Sequence, residues 1–239
     1  MALINFLKIY NNNKKIIINN KYKNLRLLKV LELPDKINVV NAGDNWKYAY
    51  YYLDFNMNYI PAVFCSNPEY YITAQAKKGR MILMIHTLRT VPLTPSDVKK
   101  YVTVYIFTEE QSYDTTGAGL FIWDPDTKEL VFNSKSLYMR VVGSYLKTEL
   151  LQEEEALKET MPETAFPCKK VAAVMFSMHE AGTWTPQAAT GSTLKLNWRA
   201  SNIIRSEWLV DRVLFTPPID FPSGVMRSTC ILFIDVTGY

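Results

Sequence analysis

Short apolar runs separated by turn residues dominate the chain, and most carry the alternation or the β-branched and aromatic content of strands. Tyr101–Phe107, Val171–Phe176 and Cys230–Val236 read as strands on this ground. Trp46–Phe55 is aromatic and strand-like, and its alternation predicts that at least one face of Tyr50–Tyr52 is core. Pro61–Cys65 and Tyr70–Ala76 are two more strands, divided by the turn Ser66–Pro68. Met81–Leu88 is a largely apolar run whose length and nearby Gly79 predict a buried strand. Leu120–Trp123 and Leu130–Phe132 flank Asp124–Lys128, where Pro125 presets a turn and Asp can bond its own backbone, so a hairpin is expected.

The polar stretches supply the connections. Asn38–Asn45 reads as a link into the main domain, the stretch holding Pro92 and Pro95 as a loop, and Glu109–Gly119 as another. Ser144–Glu159 is the expected helix: Ser144 can cap it, Leu146, Leu150, Leu151 and Leu157 share a stripe, and Pro162 stops it. Glu153–Glu155 would form an acidic patch on it. Gly182–Ser192 reads as a long loop, followed by Thr193–Arg199, a segment Ile203–Phe215 around Trp208, and the Pro-rich loop Thr216–Gly224. Some eight to ten strands and one or two helices predict a mainly β sandwich or barrel with a helical insertion.

Composition sharpens this picture at three points. The chain has 239 residues, 48% of them hydrophobic, which suffices for one large core without a disulfide or metal. Cys65, Cys168 and Cys230 are odd in number and widely spaced, which suits a reducing compartment better than a disulfide scaffold. The start, Met1–Lys8, lacks the basic region and cleavage site of a secretory signal, and no stretch has the 18 or so apolar residues of a membrane span. A protein that is not secreted and does not span a membrane is expected.

Charge is uneven. Residues 1–31 carry seven basic side chains and no acidic one, so positions 32–239 hold 20 basic (27 − 7) against 23 acidic residues, a net of −3. This divides the chain into a basic N-terminal extension, 1–37, and a single β-rich domain, 38–239. Lys14, Lys15, Lys21, Lys23 and Arg26 could neutralise phosphates and bind nucleic acid in a salt-sensitive way. The Ile and Leu content of the same segment also fits packing, either as a Lys-bearing edge strand or as an extension exchanged between subunits.

Reactive chemistry is harder to find. His86 stands alone in an apolar run, where a satisfied core residue is the ordinary outcome. Cys168 and His179 could pair in space, but their local sequence gives no nucleophile context. Asp114–Gly119 lacks the Gly-Lys-Ser/Thr of a phosphate loop. Asp124 and Asp126 are explained by turn chemistry, and Glu109–Glu110 by a solvated loop. No enzyme, cofactor or metal site is expected.

The run Gly79–Leu88, a Pro-bearing loop, then Val102–Phe107, together with the strand, Pro-rich loop and last strand of Trp208–Val236, resembles the jelly-roll coat proteins of picorna-like viruses. The same pattern is similar to plant-virus movement proteins. The resemblance covers about a third of the chain and carries over no functional residue. It implies a jelly-roll-like sandwich acting as a viral structural protein, in a virion or the host cytoplasm, whose partners are itself or related viral subunits and possibly nucleic acid. Its assembly would bury apolar and aromatic side chains, with Tyr50, Tyr52, Trp184, Trp208 and Phe221 as candidates. A nucleic-acid-binding movement protein is the alternative, and a hydrolase using Cys168 or His179 the third.

Overall fold

The computed structural model describes residues 8–10, 16–19, 25–42, 45–77, 79–109, 118–124, 126–147, 160–177, 180–185, 188–213 and 229–239. In chain order the strands begin with β1 (Lys8–Tyr10), β2 (Ile16–Asn19), β3 (Arg26–Leu31), β4 (Asn38–Ala42), β5 (Trp46–Asp54) and β6 (Tyr59–Cys65). They continue with β7 (Tyr71–Lys77) and β8 (Arg80–Leu88), then helix α1 (Pro95–Tyr101) and β9 (Val102–Thr108). A hairpin of β10 (Phe121–Trp123) and β11 (Leu130–Asn133) precedes β12 (Arg140–Lys147), β13 (Thr164–Ala165) and β14 (Val171–Ser177). The last strands are β15 (Glu180–Thr185), β16 (Ala188–Ala200), β17 (Ile203–Val213) and β18 (Thr229–Asp235).

The described residues are mainly β, and every strand pair is antiparallel. Two sheets hold the core. One has six strands in the order β12-β18-β14-β6-β9-β3, the other eight in the order β13-β17-β16-β7-β8-β5-β4, with β15 added on β16. Alternation puts Ala49, Tyr51 and Leu53 of β5 inside with Leu83 and Ile85 of β8, Ile72 and Ala74 of β7, and Leu196 and Trp198 of β16. Val63, Val104, Ile106, Ala173, Ile231 and Phe233 of the six-stranded sheet belong to the same buried cluster. β1 and β2 pair with each other, as do β10 and β11.

Both sheets curl. Leu27 donates to the Leu137 carbonyl at 2.6 Å and Met139 to the Leu25 carbonyl at 2.8 Å, so residues 137–139 pair with the outer side of β3. The same segment then enters β12, which ladders onto β18 at the opposite end of that sheet. One continuous stretch therefore engages both edges of the six-stranded sheet, a partial closure of the kind that hides unpaired backbone. In the eight-stranded sheet, β17 returns to within 8 Å of β4, Cα to Cα.

Four segments differ from the sequence-based expectation. Ser144–Lys147 is strand, not the start of a helix: Ser144 opposes Leu232 and Leu146 opposes Cys230 on β18. The remainder of that expected helix, with Glu153–Glu155, lies outside the described residues. Pairing with an apolar partner strand overrides the local helical pattern here. The expected loop around Pro95 instead contains α1, whose first turn is fixed by Thr94: its hydroxyl accepts the Asp97 N–H at 3.2 Å while the Asp97 carboxylate accepts the Thr94 N–H at 3.1 Å. Asn38–Ala42 forms β4 against β5 rather than a link. The expected loop Gly182–Ser192 is a strand pair, β15 against β16 in continuous register from Glu180–Thr193 to Thr185–Ala188.

Candidate functional site

The side of the eight-stranded sheet opposite the core carries a file of aromatic rings. Tyr48, Tyr50 and Tyr52 project from alternate positions of β5, while Tyr51 between them is 2% exposed. Tyr52 is 54% exposed and Tyr48 and Tyr50 are half-buried. Tyr48 and Tyr50 lie 6.3 Å apart, centroid to centroid, and Tyr50 and Tyr52 meet edge to face at 5.5 Å. Met84 and Ile82 of β8 stand opposite Tyr50 and Tyr52, and the exposed Leu88 stands opposite Trp46. At the outer end Arg80 lies over the Tyr52 ring at 5.9 Å and pairs with Asp54 at 2.7 Å.

Along the same face a polar row crosses five strands in direct register, Tyr48, His86, Tyr71, Asn197 and Arg205, with Val40 of β4 continuing it at the Tyr48 end. Its middle is dry. His86 is 2% exposed, and Asn197, with Thr73 and Lys195 beside the row, is fully buried. Tyr48 stacks on the His86 ring at 5.3 Å. Asn197 donates to the carbonyls of Pro68, at 2.7 Å, and Tyr70, at 2.9 Å. Lys195 donates to the Leu209 carbonyl at 3.4 Å. Arg205 and Glu207 form an ion pair whose side chains remain about a third exposed.

Electrostatics set the charge states along this row. Burial, reinforced by the positive charge of Lys195, holds the His86 imidazole well below its ordinary range, so it is neutral at physiological pH. Burial, then Glu207, pushes the Tyr71 hydroxyl up. Glu207 is committed to Arg205. Among the described residues no three His, Cys, Asp or Glu side chains group as metal ligands, and no helix is long and apolar enough to cross a membrane.

The structure brings Tyr50 and Tyr52 together on one face. Trp184 on β15 opposes Ala189, and Trp208 on β17 opposes Leu194, both on β16. Phe221, Lys14, Lys15, Lys21, Lys23 and His179 lie outside the described residues. Arg26 opens β3, opposite Thr108 and bridged to Tyr138, so it belongs to a sheet edge. Cys168 is half-buried, its thiol donating to the Lys170 carbonyl at 3.6 Å, and burial raises its pKa, which opposes a nucleophilic thiolate. Asp124 accepts the N–H groups of Asp126 and Thr127 at 2.8 and 3.1 Å, which is turn chemistry. Sequence reasoning missed Lys195, Asn197, Arg205 and Glu207, although their spacing of two along neighbouring strands is the sign of a shared face.

A cleft of about 390 Å³ opens elsewhere, beside β12, between Val142–Tyr145 and Met161–Pro167. Its lining is mostly apolar, and a Cβ on Gly143 would come within 2.9 Å of the Phe166 ring. Compared with models of protein families, with curated proteins and with solved structures, the chain finds no match.

Proposed function

We propose that this chain is a viral structural subunit that assembles with copies of itself into a capsid or related lattice. The observation that carries this reading is the aromatic file Tyr48, Tyr50 and Tyr52 on the sheet side opposite the core, bordered by Ile82, Met84 and Leu88. Tyr and Trp are enriched where one protein buries surface against another, because a large ring is ordered at low entropic cost. The row beside the file offers a neutral imidazole, and Glu207 at its end is held by Arg205, a poor basis for turnover but a rigid neighbour for a contact surface.

The path of the chain supports a jelly-roll-like arrangement. It runs from β3 in one sheet to β4 and β5 in the other, back to β6, across to β7 and β8, back to β9, and later from β16 and β17 to β18. Residues 137–139 pair with β3 and residues 140–147 with β18, which joins the two margins of the six-stranded sheet.

The test is assembly of the full-length protein, followed by light scattering and electron microscopy. Particles or large oligomers are expected, and Tyr52→Ser should weaken them while leaving the fold intact, since its ring is half exposed. A monomer that stays monomeric at high concentration ends this reading.

A further inference from the structure

Among the described edges of the two core sheets, β4 differs from the rest. The outer side of β3 is bonded to residues 137–139, and β3 also carries Lys29 and a register shift. β12 has a register shift at Val141–Gly143 and charged ends, Arg140 and Lys147. β13 is two residues long. β15 begins with Glu180. β4 has none of these devices, which are the usual means of blocking strand addition. Its five residues, Asn38-Val39-Val40-Asn41-Ala42, hold no charge and no proline and pair with β5 without a shift. Val39 is 47% and Val40 38% exposed, on opposite faces of the strand, so β4 stands clear of the core on both sides. Although β17 approaches it, no described strand other than β5 ladders with it.

We infer that the β4 edge pairs antiparallel with β4 of a second copy about a two-fold axis centred on Val40. The midpoint of a five-residue strand lies at Val40, so this register uses the whole strand: Val40 faces Val40 of the second copy, Val39 faces its Asn41, and Asn38 faces its Ala42. No like charges meet. Val40 shares its face with Tyr48, so the two-fold places the aromatic files of both copies on the same face of one joined sheet, with the two β4 strands between them. Isologous contacts of this kind need a self-complementary patch, and a neutral strand paired with itself meets that requirement. The inference rests on the assembly reading and names one of its contacts.

Two variants of the full-length chain test it. With Val40→Cys, the two thiols oppose each other on the axis at about 4.5–5.5 Å between Cβ atoms, near the reach of a disulfide. Mild oxidation should then give a covalent dimer in high yield, at a rate unchanged by dilution of the assembled protein. Val39→Cys places its thiols on the diagonal, roughly 7–8 Å apart, and should cross-link poorly. The unmodified protein, with Cys65 buried and Cys168 and Cys230 half-buried, is the control for background oxidation. Val40→Lys sets two ammonium groups on the axis and should halve the mass of the smallest stable species in sedimentation. If the unmodified protein assembles, yet Val40→Cys cross-links no better than Val39→Cys or Val40→Lys leaves the mass unchanged, the β4 contact is wrong and assembly by another surface stands. If the unmodified protein is a monomer, both readings fall.

Discussion

The indole N–H of Trp198 donates to the Val171 carbonyl at 2.8 Å, so a side chain of the eight-stranded sheet completes the backbone of the six-stranded one. Trp198 is 1% exposed and Val171 fully buried, which leaves that carbonyl no water to turn to. Trp198→Phe keeps most of the apolar volume and removes the donor, and should cost about 1–3 kcal/mol. Trp198→Ala adds a cavity and should cost about 3–5 kcal/mol. Urea unfolding followed by circular dichroism reads both, and equal losses for the two variants would contradict this assignment.

His86 should make stability fall in mild acid. Its folded-state pKa is lowered by burial and then by Lys195, relative to an ordinary value of 6.5. Above that value both folded and unfolded chains hold it neutral, and it contributes no slope. Below it the unfolded chain takes up a proton that the folded chain refuses, so stability declines as pH falls, by up to about 1.4 kcal/mol per pH unit. His86→Gln should flatten the difference between pH 6.5 and pH 5 measured by denaturant titration. An unchanged slope would mean that carboxylates elsewhere account for all of it.

Gly79 turns the chain between β7 and β8 at φ +78°, where a Cβ would meet the Phe55 carbonyl oxygen at 2.6 Å. The Phe55 N–H donates to the Gly79 carbonyl at 2.7 Å, so neither group can retreat without losing that bond. Gly79→Ala should therefore lose about 1–3 kcal/mol, from left-handed strain together with the close approach. Thermal unfolding gives the comparison, with Gly238→Ala as a contrast: its φ is +84°, but nothing lies within 4 Å of the added carbon.

Thr94→Ala should cost about 0.5–2 kcal/mol by removing the side-chain acceptor that starts α1. The same hydroxyl holds the Asp97 carboxyl below its ordinary range, together with the Thr94 backbone N–H. A carboxyl pKa should therefore rise toward the normal range in the variant, visible by NMR titration. Thr94→Ser should retain the native behaviour.

Strand content was legible from residue types that suit pleated surfaces, and the split of Tyr51 from Tyr50 and Tyr52 followed from alternation alone. The helix α1 is also written locally, in Thr94, Pro95 and Asp97, but two prolines so close together, Pro92 and Pro95, equally suit a loop. Ser144–Lys147 misled in the opposite sense: Leu146 and its neighbours have helical spacing, yet the strand they form is decided by β18, which lies far along the chain. Asn and Gly, Thr composition hid β4 and β15, because their sheet neighbours rather than their own residues hold them in place. The polar row was illegible for a related reason. The alternation of Lys195 and Asn197 marks a face, but its dryness depends on Tyr71 and His86 arriving from other strands.

Residues 137–139 bond to β3 and the strand they lead into bonds to β18, so one stretch of backbone latches both margins of the six-stranded sheet. Releasing that latch frees the amides of two distant segments together. Residues 25–31 and 229–235 should accordingly exchange their hydrogens with deuterium as one cooperative unit, despite lying at opposite ends of the polypeptide. These two segments thus share a single fate when the protein breathes, and cutting the backbone between Leu137 and Arg140 would loosen both.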